Sequence, residues 1–71
     1  MSINYKRLWK LLIDRNLRKN DLMQMAGLSA STITKMGRDE TVTTETLMKI
    51  CVALDCTIDD IVEIISSNKN N

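Results

Sequence analysis

Seventy-one residues make one small domain, and at that length a chain buries only about 60% of its unfolded surface, so its stability is expected to be modest. With no Pro, no His, no Phe, one Trp, one Tyr and only Gly27 and Gly37 as breakers, the composition predicts an all-α chain whose core is Leu, Ile, Val, Met and Ala. The lack of His, of a Gly-rich phosphate loop and of clustered carboxylates argues against an enzyme, and the lack of any apolar run near the roughly 20 residues that span a bilayer argues against a membrane protein; the net charge is only +1.

Near the start, Tyr5, Leu8, Trp9, Leu12 and Ile13 recur at helical spacing and predict an amphipathic first helix, capped by Ser2 or Asn4 and ending at Asn16. Met1 to Arg7 holds no apolar leader, and a cytoplasmic location is expected. Arg18, Lys19 and Asn20 open a second helix, in which Leu22 and Ala26 lie four apart on an apolar face. Gly27 then permits a left-handed turn, Leu28 plugs the corner, and Ser29 is placed to cap a third helix from about Ala30 to Met36. That helix turns Ile33 and Met36 inward and Ala30, Ser31, Thr32 and Lys35 outward, with Gly37 as its expected stop.

A polar loop from Asp39 to Thr43, anchored by Val42, leads to a fourth helix capped by Thr43 or Thr44. Its inward stripe is Leu47, Ile50, Cys51 and Leu54, with Met48 and Val52 on one flank. Thr57 and Asp60 form a capping-box pattern for a fifth helix, with Ile58, Ile61, Val62 and Ile65 inward and Ile64 pointing away. Residues 1–66 are thus expected to form the domain and 67–71 a flexible tail.

The motif Lys19 to Arg38, with Leu22, Ala26, Gly27, Leu28, Ser29, Thr32, Ile33 and Arg38 in pattern, resembles the λ-repressor-like (xenobiotic-response-element type) helix-turn-helix DNA-binding family. The run Leu47 to Ile65 is similar to that family's fourth and fifth helices, so the resemblance implies a compact five-helix domain. It also implies a site. Ala30, Ser31 and Lys35 fall at base-facing positions of a helix laid in the major groove, with Thr32 and Thr34 flanking. Lys19, Asn20, Ser29 and Arg38 fall where the family meets the DNA backbone. The sequence departs from the pattern in three places: Lys19 stands where a Gln is common, Met23 where Ala lets the motif helices close up, and Asp39 where Gly is usual. Lysine grips phosphate as a point charge and discriminates bases poorly, so Lys19 is expected to add affinity more than specificity. The third helix is expected to end a residue or two early, moving Arg38.

Charge placement agrees with this implication. Through Arg38 there are eight cations and two anions, +6; from Asp39 onward two cations and seven anions, −5. Cys51 and Cys56, without His or further Cys, make a poor metal site and are read as packing residues, and no cofactor is expected. The expected partners are double-stranded DNA and a second copy, since one such helix reads few base pairs and a two-fold dimer doubles the site. Ile64, with Met48 and Val52, is the candidate dimer surface. The expected function is a transcriptional regulator, acting as a repressor or autoregulator. The alternatives are an antitoxin or a restriction-modification controller of the same fold, and an interaction module that has lost DNA binding.

Overall fold

The computed structural model describes residues 2–66. Ser67 to Asn71, read as a flexible tail, lie outside the described residues. The elements run β1 (Ser2–Asn4), α1 (Lys6–Asp14), α2 (Lys19–Ala26), α3 (Ala30–Gly37), α4 (Thr44–Leu54), a single 3-10 turn (Ile58–Asp60) and β2 (Glu63–Ile65). The expected five-helix, all-α fold is therefore corrected, among the described residues, to four α-helices and a two-stranded antiparallel sheet, with Ser2 opposite Ile65, Ile3 opposite Ile64 and Asn4 opposite Glu63.

The reason lies in residue type. Ile61, Val62, Ile64 and Ile65 are β-branched and stiff at χ1, which disfavours a helix and suits a strand once a partner is present. The partner comes from the other end of the chain. Ile61 and Val62 stay buried as expected, but Ile58 and Ile65 are 44% and 43% exposed. The capping box survives without its helix: the amide and hydroxyl of Thr57 both donate to Asp60 Oδ2, at 3.0 and 3.1 Å. Those two bonds, the backbone one first, hold the Asp60 carboxyl below the usual aspartate value.

At the start of α1, Asn4, one of the two expected caps, bonds the helix from strand β1, one residue before the N-cap position. The residue preceding the helix is Tyr5, and its side chain does not cap; instead Asn4 Oδ1 accepts from the Lys6 amide at 3.2 Å. Ile13, expected inward, is 75% exposed, one residue before α1 ends, while its neighbour Leu12 takes the buried place in that turn. All four helices exit through a left-handed residue: Asn16, Gly27, Asp39 and Asp55, with φ of 59°, 67°, 57° and 53°. Asn and Asp tolerate that region better than other side-chain-bearing residues. The stop of α3 is thus Asp39 and not Gly37, which stays helical, so α3 does not end early.

Tyr5, Leu8, Leu12, Leu22, Ala26, Met36, Ile50, Leu54, Ile61 and Val62 form one core, and α2 packs against both α3 and α4. Cys51 and Cys56 are free, half-buried thiols packed against this core; burial, with the neighbouring Cys51, pushes the Cys56 thiol up. Among the described residues no three His, Cys, Asp or Glu side chains gather to hold a metal, and no helix is long and apolar enough to cross a membrane.

Tyr5 is wholly buried and its hydroxyl donates to the Glu40 carbonyl at 2.6 Å. Burial, aided by the charge of Asp39, raises its pKa above the ordinary 10.0. Tyr5→Phe is expected to cost about 1 kcal/mol, lowering the thermal midpoint by roughly 4–8 °C for a domain of this size. The raised pKa also sets a sign. Stability is full below pH 10.0 and falls as pH rises through it, because the unfolded phenol ionises first; in Tyr5→Phe that alkaline loss should shrink, as circular dichroism melts across pH will report.

Candidate nucleic-acid interface

Helix α3 is fixed at both ends. At its start, Ser29 is extended (φ −80°, ψ 159°) and its Oγ accepts from the Thr32 amide at 3.2 Å. The same oxygen lies 3.0 Å from Ser31 Oγ and 2.9 Å from Thr32 Oγ1, so three hydroxyls cluster at the helix N-terminus. At its end, the amides of Arg38 and Asp39 donate to the carbonyls of Lys35 and Met36. Met36 is fully buried and Ile33 packs against the core, which orients the rest of the helix outward.

Ala30, Ser31 and Lys35 are exposed, as expected, whereas Thr32, also expected outward, is half-buried. Thr34 is exposed, but its hydroxyl donates back to the Ala30 carbonyl at 3.0 Å. Arg38 is exposed and lies 4.0 Å from Glu40, an open ion pair of little strength. Thr32 and Lys35 line a groove with Thr41, Val42, Thr43 and Thr46, three threonines that the helix-face reading had not picked out. Thr43 and Thr46 belong to a cap, with Thr43 Oγ1 accepting from the Thr46 amide at 3.1 Å. A cap is visible in sequence; its approach to α3 is not.

Helix α2 opens with Lys19 and Asn20, both exposed, behind a turn in which Asp21 Oδ2 accepts from the Arg18 amide at 2.9 Å. The Lys19 ammonium does not extend freely into solvent but sits over the Trp9 ring, 4.4 Å from its centroid. Not all front-half cations belong to this face. Arg7 Nη1 donates to the Asp59 carbonyl at 3.0 Å, and Arg15 Nη1 donates to the Leu54 carbonyl, so both tie α1 to the acidic half. Met48 and Val52 are exposed in a groove with Met25, whereas Ile64 lines a different groove with Ser2, Ile3 and Thr41.

Two short helices meeting at a left-handed glycine, the second capped, anchored by two apolar residues and exposing a small polar face, define a helix-turn-helix DNA-binding domain. The chain belongs to the Cro/C1-type helix-turn-helix DNA-binding domain family, whose model matches residues 7–67, and it is a DNA-binding transcription regulator. Among solved structures it is similar to the transcriptional regulator VanUg (crystal form II), with 44% identity, a TM-score of 0.85, and coverage of 87% of this chain and 83% of that one. No curated protein matches the chain.

Ser29→Ala removes the acceptor for the Thr32 amide and is expected to destabilise by about 1 kcal/mol. Because the lost cap lies at the start of α3, DNA affinity should fall with it, while Ser29→Asp restores stability; thermal melts and anisotropy titrations measure the two effects.

Proposed function

We propose that this regulator is a repressor or autoregulator acting in the cytoplasm as a homodimer, with α3, from about Ala30 to Met36, in the major groove. The observation that carries the reading is the two-sided build of α3: Ile33 and Met36 anchored in the core, and Ala30, Ser31 and Lys35 exposed on the same helix. A groove about 12 Å wide admits such a helix. Lys35 can donate to guanine O6 or N7, Ser31 can donate or accept, and Ala30 can meet a thymine methyl. Lys19, Asn20, Ser29, Thr32 and Arg38 supply backbone contacts that set orientation without reading sequence. Half-sites about one helical turn apart would give a two-fold dimer its specificity.

For the dimer face, support comes from exposed apolar side chains: Ile64 at 67%, Met48 at 58% and Val52 at 81%. Ile64 stands on a strand at the edge of a two-stranded sheet, and Met48 and Val52 on α4, so they offer two separate faces to a second copy. We take Ile64 as its centre.

Lys35→Ala is expected to change which base pair is preferred at one position, by about 1–3 kcal/mol of discrimination, with little change in the salt dependence of binding. Selection of duplexes from a randomised pool, starting from the DNA upstream of its own gene, measures this; an unchanged preference would remove Lys35 from the reading face. Ile64→Glu should weaken self-association and DNA binding together, moving the sedimentation mass towards the 8.1 kDa of a single chain. If Val52→Glu does so instead, the dimer face is on α4.

A further inference from the structure

Lys19 is the first residue of α2, at the end of the helix where the dipole is positive and a cation is disfavoured. Its ammonium is held elsewhere. Nζ lies over the Trp9 indole on α1, 4.4 Å from the ring centroid, and 4.0 Å from where a Cβ on Gly37 would stand, at the C-terminal end of α3. Both neighbours attract a cation, one through the negative face of the ring and the other through the negative end of a helix dipole. Neither neutralises it: among the described residues the one ion pair is Arg38 with Glu40. Trp9 itself is half-buried, and Leu12, Ile13, Leu17 and Lys19 line the shallow pocket around it.

We propose that Trp9 is a positioning residue for DNA binding, holding the Lys19 ammonium un-neutralised between α1 and the end of α3 so that a phosphate meets a cation already in place. A carboxylate partner would order the lysine equally well but cancel its charge; an aromatic face orders it and leaves the charge available. The rotamer freedom of the long side chain is then lost on folding and not on binding, which favours the complex. The ammonium thus stands beside Gly37, the last residue of α3, one residue before Arg38. Lys19 of α2 and Arg38, the C-cap of α3, are thereby set at the same end of the proposed reading helix.

The inference rests on Lys19 being a phosphate contact, and a double-mutant cycle separates the two claims. Because phosphate contacts are sequence-independent, a mixed-sequence duplex at several salt concentrations suffices as probe. Lys19→Ala should lower affinity and reduce the salt slope by about 1. Trp9→Leu should weaken binding by about two- to fivefold in the parent and have no effect in the Lys19→Ala background, while Trp9→Phe keeps most of the affinity. If Lys19→Ala weakens binding but Trp9→Leu does not, or if Trp9→Leu costs the same with and without Lys19, the positioning role is overturned and the phosphate contact stands. If Lys19→Ala binds as the parent does, both fall. A measurement that leaves Trp9 intact guards against misfolding of its variants: in the parent bound to DNA, the Lys19 ε-methylene protons should remain shifted upfield by the ring current. Finding them at their unshifted positions in the complex would overturn the proposal.

Discussion

Tyr5 is the side chain on which the geometry of this domain depends. It is fully buried in the core, and its hydroxyl reaches the Glu40 carbonyl, two residues beyond the C-cap of α3. One residue therefore joins the strand at the chain's start to the loop at the end of the helix whose orientation matters for DNA. A buried phenol without a partner would cost free energy, so the loop carbonyl has one place to be. With Asp39 left-handed beside it, the exit of α3 is set, and so is the position of Arg38.

Charge does two different jobs in the basic half. Summed along the chain, the front half carries +6, which reads as one surface for phosphate. In the fold, Arg7 and Arg15 are engaged with backbone carbonyls of the back half, at Asp59 and at the C-terminal end of α4, and Lys10 shares a groove with Asp14, Asp59 and Asp60. A guanidinium at a helix C-terminus is favourable, so part of the segregation is cohesion between halves. The cations left near the motif are Arg18, Lys19, Lys35 and Arg38. A modest net charge is consistent with DNA binding when cations such as Lys19, Lys35 and Arg38 are placed and not merely numerous.

The helix-turn-helix was legible because its determinants are local. The capping serine at position 29, the left-handed glycine at 27, and the spacing of Leu22, Ala26, Ile33 and Met36 each act within a turn or two of chain, where backbone hydrogen bonding and helical period decide the outcome. The same holds for the Thr43 cap of α4 and the exposure of Met48 and Val52, whereas Ile64 is exposed on a strand and not, as expected, on the outer side of a helix. Glycine is the cheapest left-handed residue, which makes Gly37 the expected stop of α3; the left-handed residue is instead Asp39, a residue type that tolerates that region.

Sequence by itself determined the class of fold at the motif, the caps of α3 and α4, and that Ala30, Ser31 and Lys35 of α3 face out, because short-range periodicity fixes them. Only the tertiary structure decided the ends of the chain: whether Glu63 to Ile65 is helix or strand depends on Ser2 to Asn4, some sixty positions away in sequence and beside it in space. It also decided that Lys19 lies over Trp9, that Arg7 and Arg15 tie α1 to the back half, and that Ile64 and Val52 stand on different faces. A strand pairing or a cation–ring contact is a relation between distant positions, and no local pattern of residues encodes the distance between them.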